Sequence, residues 1–129
     1  MLFVVFLFVL ATFQLSMANS NFNEVKAPPE HSFSTPENTW NLFKASILAS
    51  DYTMARKCCC ADGTKRVFKF EKMAAEKRKS LVLSMQPIKK IELQESTAKY
   101  EVVRDINGVA FSTFVYFEKV YDGWKIAHY

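Results

Sequence analysis

Two dipeptides constrain this chain more than any other feature. Asn107-Gly108 and Asp122-Gly123 each separate runs in which apolar residues recur at every second position. Both central residues of a type I′ turn need positive φ, which Asn, Asp and Gly tolerate, and such turns join antiparallel neighbours. Before the first turn, Ile91 and Leu93 alternate with Lys90 and Glu92, and Ala98, Tyr100 and Val102 alternate with Lys99, Glu101 and Val103. After it, Phe111, Thr113, Val115 and Phe117 share one face, and Phe114, Tyr116 and Val120 share the other. Residues 124–129 make a last strand. The residues after Pro87 therefore predict a four-stranded antiparallel meander. Its strand over residues 109–120 is apolar on both faces, so it is expected to be central, with helices on one side.

Upstream of Pro87 the apolar period becomes helical. Ser34 and Glu37 have capping-box spacing, and Pro36 suits a first helical turn. Trp40, Phe43 and Ile47 then share a face that Leu42 and Leu48 widen, up to a helix end near Ser50. Asp51 is expected to cap a second, short helix whose buried side is Tyr52, Met54, Ala55 and Cys58. Asp62-Gly63 is expected to break the chain. A third helical region over residues 65–85, kinked or split near Lys79, sets Val67, Phe70, Ala74 and Leu81 on one face. Lys65, Lys69, Lys72 and Lys79, with Glu76, fall on another. Such a charge run usually forms a solvated face; an anionic docking surface is the alternative. Three helical segments before a meander predict an α+β domain, with N-terminal helices packed on a curved four-stranded antiparallel sheet, a cone.

The amino terminus reads differently. Residues 2–11 are an unbroken apolar run, and 15 of the first 18 residues are hydrophobic. A membrane-spanning helix needs about 20 apolar residues, and this run is shorter. It ends in Ser16-Met17-Ala18, the small-x-small form of a signal-peptidase site. Residues 1–18 are thus expected to be a signal peptide that exports the chain to the periplasm or the extracellular space, leaving Asn19 first. No Lys or Arg precedes the run, so the alternative is a membrane anchor of uncleaved residues 1–18. Residues 19–33 are polar, hold Pro28, Pro29 and His31, and read as a flexible linker. The domain is expected over residues 34–129. The net charge of +4 lies wholly after residue 18. It serves solubility, or attracts a basic face to anionic envelope surfaces. Export and the lack of a nucleic-acid motif argue against nucleic acid as a partner.

Cys58, Cys59 and Cys60 are consecutive and close no long loop. Successive helical residues diverge by about 100°, so the three cannot converge on one metal. One buried thiol with the others at a helix end is the expectation, an intermolecular disulfide the alternative. No metal and no cofactor are expected.

Four local patterns carry a family resemblance. They are Thr35-Pro36-Glu37-Asn38-Thr39-Trp40 with Phe43, the junction Ala49-Ser50-Asp51-Tyr52, the strand Ala98-Lys99-Tyr100-Glu101-Val102, and the closing hairpin over residues 116–126 with Gly123-Trp124-Lys125-Ile126. Together they resemble the nuclear-transport-factor-2-like superfamily, which shares its cone with the cystatin-like folds, and within it small exported bacterial proteins of unknown function. The resemblance covers residues 34–129. It implies a cavity between sheet and helices, and a fold used by isomerases, dehydratases, polyketide cyclases and non-enzymatic modules alike. Dimers through the open face of the sheet are common in the superfamily. A homodimer here, through that face or through the cysteines, is compatible with the sequence.

Catalytic cones similar to ketosteroid isomerase or scytalone dehydratase need a carboxylate or His base in the cavity, with a donor for developing negative charge. Glu92 and Glu101 alternate away from the apolar faces, and Asp51 is read as a cap. His128 falls on the side of Trp124 and Ile126, as a cavity residue or an ordinary strand end. Tyr100 offers a hydroxyl. No catalytic residue is assigned. Trp40, Phe43, Tyr100, Phe111, Trp124 and His128 are the expected ligand-lining set, if they do not simply fill the core. The expected function is an exported, non-catalytic module that holds a small apolar ligand or docks an envelope protein. The alternative is a small isomerase- or dehydratase-like enzyme with a cavity His or Glu as base.

Overall fold

The computed structural model describes residues 32–121 and 123–129. The expected signal peptide and most of the linker, His31 included, lie outside the described residues. Four helices come first: α1 (Pro36–Leu48), α2 (Tyr52–Lys57), α3 (Ala61–Lys72) and α4 (Ala75–Ser84). Four strands follow: β1 (Lys89–Leu93), β2 (Thr97–Ile106), β3 (Val109–Val120) and β4 (Gly123–His128). The strands pair antiparallel in the order β1-β2-β3-β4, an open, curved meander with helices on one side. The α+β class read from the change of period at Pro87 is the observed one. Among the described residues, no helix is long and apolar enough to cross a membrane.

Local chemistry accounts for the element boundaries. The Thr35 hydroxyl accepts from the Asn38 N–H at 3.1 Å, and Pro36 follows in the first turn. The cap is therefore Thr35, one residue later than the Ser34–Glu37 box implies. Ser50, at φ 57°, turns the chain out of α1. Asp51 then caps α2, as expected, by accepting from the Met54 N–H at 3.1 Å.

Two expectations are corrected. Asp62-Gly63 does not break the chain; it lies in the first turn of α3, where a carboxylate suits the positive end of the helix dipole. Gly63 is there because α3 packs against β4. A Cβ at that position would stand 2.6 Å from the Ile126 carbonyl oxygen. The long helical region divides at Met73-Ala74, not at Lys79. Both residues are extended, with ψ 145° and 140°. Arg78 of α4 reaches back and donates to the Phe70 and Met73 carbonyls at 3.3 and 3.1 Å, tying the start of α4 to the end of α3. The break also places Val82, rather than Ala74, in the core, while Leu81 is half-buried. Leu48, expected on the apolar stripe, is exposed. The lysine run is exposed.

The turn between β2 and β3 has Asn107 at φ 52° and Gly108 at φ 78°, the signs that a type I′ turn requires. The core forms where the concave face of the sheet meets the helices. Ala98, Tyr100, Val102, Val115, Phe117 and Ile126 pack against Trp40, Phe43, Ile47, Val67, Phe70 and Val82. Each large apolar side chain buried there stabilises the fold by roughly 1.5–3 kcal/mol.

The two edges of the sheet differ. On β4, the Trp124 N–H donates to the Phe33 carbonyl at 2.8 Å, and the Trp124 carbonyl accepts from the Thr39 hydroxyl at 2.7 Å. The Ile126 N–H donates to the Cys58 carbonyl, and its own carbonyl accepts from the Cys60 N–H, both at 2.8 Å. The cysteine run therefore meets β4 in a one-residue parallel bridge, Cys59 opposite Ile126, that occupies part of its edge. The opposite edge, β1, is exposed throughout and carries Lys89 and Lys90, charges that discourage edge-to-edge pairing.

Candidate functional site

The concave face has a ring cluster at its covered end. Trp40 and Phe43 of α1 stack with centroids 5.6 Å apart. Tyr129, just past β4, meets both edge-on at 5.8 and 5.4 Å. Phe70 of α3 closes on Phe43 at 6.1 Å, and Tyr100 meets Phe117 at 5.4 Å. Trp40, Phe43 and Tyr100 are thus brought together in the core, with Trp124 buried at the β4 side. The Tyr100 hydroxyl donates to Glu37 at 2.8 Å. Burial, and then that carboxylate, push the Tyr100 phenol well above its ordinary value. Glu37, read from spacing as half of a capping box, instead ties α1 to the middle of the sheet.

The other two expected residues stand apart. Phe111 shares the inward parity of Val115 and Phe117, but β3 runs on past the helices and leaves Phe111 half exposed. His128 does not share the side of Trp124 and Ile126. The β3–β4 register pairs Phe117 with Ile126 but Tyr116 with His128, so β4 carries one extra residue, Ala127. Such a bulge reverses the alternation beyond it. His128 turns to the outer face and packs on the Tyr116 ring at 4.9 Å. Tyr129 takes the inner position. Glu92 and Glu101 lie on the outer face too, accepting from the Gln94 amide at 2.6 Å and from the Ser112 hydroxyl.

Sequence reasoning missed a group of polar atoms next to the rings. Among the described residues, the Tyr129 hydroxyl, the Trp40 Nε1 and the Arg104 Nε are buried without a hydrogen-bond partner, as is the Arg56 Nε. The Arg66 guanidinium of α3 lies over the Tyr129 ring, 5.4 Å from its centroid. Arg104 is on β2, inward by parity with Tyr100 and Val102. Burial, and then Arg66, lower its pKa, while Tyr129 acts in the other direction. Burial raises the Tyr129 phenol, against the pull of the same two arginines. A charge at the inward position of an otherwise apolar alternation was a legible signal for Arg104. Nothing in the sequence linked it to Arg66 or Tyr129.

A second concavity of about 780 Å³ runs beside β4, lined by residues that include Cys59, Cys60, Glu118 and Lys125. Lys125 donates to the Lys57 carbonyl at 2.7 Å and lies over the Phe33 ring at 3.5 Å. Burial pushes the Cys58 and Cys59 thiols up to about 12. Burial and the neighbouring Glu118 raise Cys60 as well. These thiols are protonated at neutral pH, and the thiolate is the reactive form. Cys58 is buried and the other two are half-buried at the start of α3. Among the described residues, no three His, Cys, Asp or Glu side chains form a group that could hold a metal.

Set against protein-family models, curated proteins and solved structures, the chain has no match.

Proposed function

We propose that this chain is a non-catalytic binding module that holds a small, largely apolar ligand on the concave face of a cone of the nuclear-transport-factor-2-like kind. One observation carries the reading. Among the described residues, four buried side-chain polar groups have no partner; beside the Nε of Arg56, they are on Trp40 and Tyr129 of the ring cluster and on Arg104, which is inward on β2. A buried donor left unpaired costs about 1–3 kcal/mol. Such a group calls for an explanation, and a ligand acceptor supplies one. Phe111, half exposed on that same face, offers the ligand apolar surface. His128, Glu92 and Glu101 lie on the opposite face, which favours binding over acid–base chemistry. Residues 1–18 are proposed to export the chain to the periplasm or beyond, with an envelope protein as the partner if no small ligand is held.

Native mass spectrometry of the protein, purified without denaturant from cells that make it, tests both parts. The expected species begins at Asn19 and carries a non-covalent mass that denaturation removes. Tyr129→Phe, which deletes one donor and little volume, lowers its occupancy. A bare species under native conditions overturns the small-ligand reading. A species that begins at Met1 overturns cleavage.

A further inference from the structure

We propose that the ligand of this face is a single-chain amphiphilic acid, its carboxylate held by Arg104 and Arg66 and its chain lying along Phe111, Ile106 and Val109. This rests on the proposed binding function and names the chemistry that the site selects.

The head-group end follows from charge. The Arg66 guanidinium lies over the Tyr129 ring from α3, Arg104 is inward on β2 with its Nε buried, and the charges that act on Arg104 are those of Tyr129 and Arg66. Among the described residues, the ion pairs are Arg56–Glu71 and Lys65–Asp62, and neither includes these guanidiniums. Two like charges drawn together in a partly dry place repel each other, and the repulsion grows as the local dielectric falls. A carboxylate reverses the sign of that interaction. Its two oxygens also match the planar guanidinium fork, and charge-assisted hydrogen bonds are roughly twice as strong as neutral ones. The same acceptor meets the Arg104 Nε and the Tyr129 hydroxyl, both buried without a partner among the described residues.

The tail follows from the strand register. Arg104 pairs directly with Phe111, and the next inward pair toward the turn is Ile106 with Val109. Phe111, Ile106 and Val109 are 50%, 44% and 55% exposed, although their parity is that of the core. They form an apolar strip on the concave side, beginning about 5 Å from the Arg104 backbone. Outward on the same two strands, nearer the covered end, Glu101 accepts from Ser112 and Lys99 lies over Phe114 and Tyr116. A charged pair at one end of an exposed apolar strip fits a molecule with one acidic end and one saturated chain. It fits neither a neutral lipid nor a cationic amphiphile.

The test uses decanoate, decanol and decyltrimethylammonium below their aggregation concentrations, titrated calorimetrically into the full chain. Decanoate is expected to bind at least tenfold more tightly than decanol, with the cation weakest. Arg66→Gln changes an exposed side chain and is expected to keep the fold. It should reduce the acid-over-alcohol preference several-fold, and Arg104→Gln should do the same. Phe111→Ser should weaken acid and alcohol alike, leaving their ratio unchanged. Circular dichroism checks that each variant is folded. Equal binding of decanoate and decanol overturns the acidic head group while leaving the binding function intact. No binding of any of the three overturns both. A decanoate preference that survives both arginine variants places the acid elsewhere and overturns this assignment. Sedimentation with phosphatidylglycerol vesicles, without binding of monomeric decanoate, shows a membrane surface to be the partner and overturns it as well.

Discussion

The two ends of the concave face have the same sequence pattern and opposite fates. At the covered end, Tyr100, Val115 and Phe117 alternate inward and are almost wholly buried beneath α1. At the far end, Phe111, Ile106 and Val109 keep the same parity on the same two strands and stand in the open. Alternation selects a face, and a helix has to reach that face to bury it. Here the helices end before the hairpin does. Arg104 sits at the boundary, where it is dry enough for its Nε to be shielded and near enough to the opening to meet a ligand.

Four measurements break or sharpen this contrast. The largest effect is expected from Phe43→Ala. Phe43 stacks on Trp40 and meets Phe70 and Tyr129, so its loss leaves a cavity at the covered end. It should cost about 3–5 kcal/mol in urea unfolding. A loss below about 1 kcal/mol would show that the rings are not a packed unit.

Gly63→Ala comes next. Its Cβ would press on the Ile126 carbonyl at 2.6 Å and push α3 off β4. Overpacking of this kind costs about 1–3 kcal/mol, offset by up to about 1 kcal/mol of better helix propensity. An Ala variant more stable than the parent would mean that α3 is free to move, and the covered end would then be no more fixed than the open one.

The third is a pH profile. Burial raises the Cys58 and Cys59 thiols from 9.0 to about 12, so between those values the unfolded chain has released protons that the folded chain still holds. Stability from these groups is therefore complete below pH 9.0 and is lost as pH rises toward about 12. Urea midpoints across that window should fall, and replacing Cys58 by Ala should flatten the decline. A flat parent profile would place the two thiols in water.

The smallest effect is expected from Phe111→Ala, which should change stability by no more than about 0.5 kcal/mol, since it removes an exposed ring. A cost near that of Phe43→Ala would erase the distinction between the two ends.

Much of the architecture was legible, because it rests on short-range chemistry. Asn107-Gly108 needs positive φ wherever it stands, and Asp51 caps the turn that follows it through an atom three residues away. What failed depended on a distant partner. Asp62-Gly63 has the composition of a chain break, yet Gly63 marks the close approach of a helix to Ile126. Glu37 has capping-box spacing, but Tyr100, 63 residues away, offers its hydroxyl instead. The division at Met73-Ala74 carries no Pro or Gly and is secured by Arg78 from the next helix. The site was half visible for the same reason. Trp40, Phe43, Tyr100 and Trp124 follow from periodicity, whereas Arg66, Arg104 and Tyr129 meet only in three dimensions.

The sequence by itself determined the α+β order, the meander and its turns, and which face of α1 is apolar. These follow from local backbone preferences and from the periods of helix and strand, which every copy of such a sequence obeys whatever surrounds it. The tertiary structure alone decided which inward residues are covered, and which aromatic at the end of β4 enters the interior. One extra residue at Ala127 exchanges His128 for Tyr129, because alternation has a period of two and a single insertion reverses it. It thereby sets a phenol, rather than an imidazole, beside two arginines.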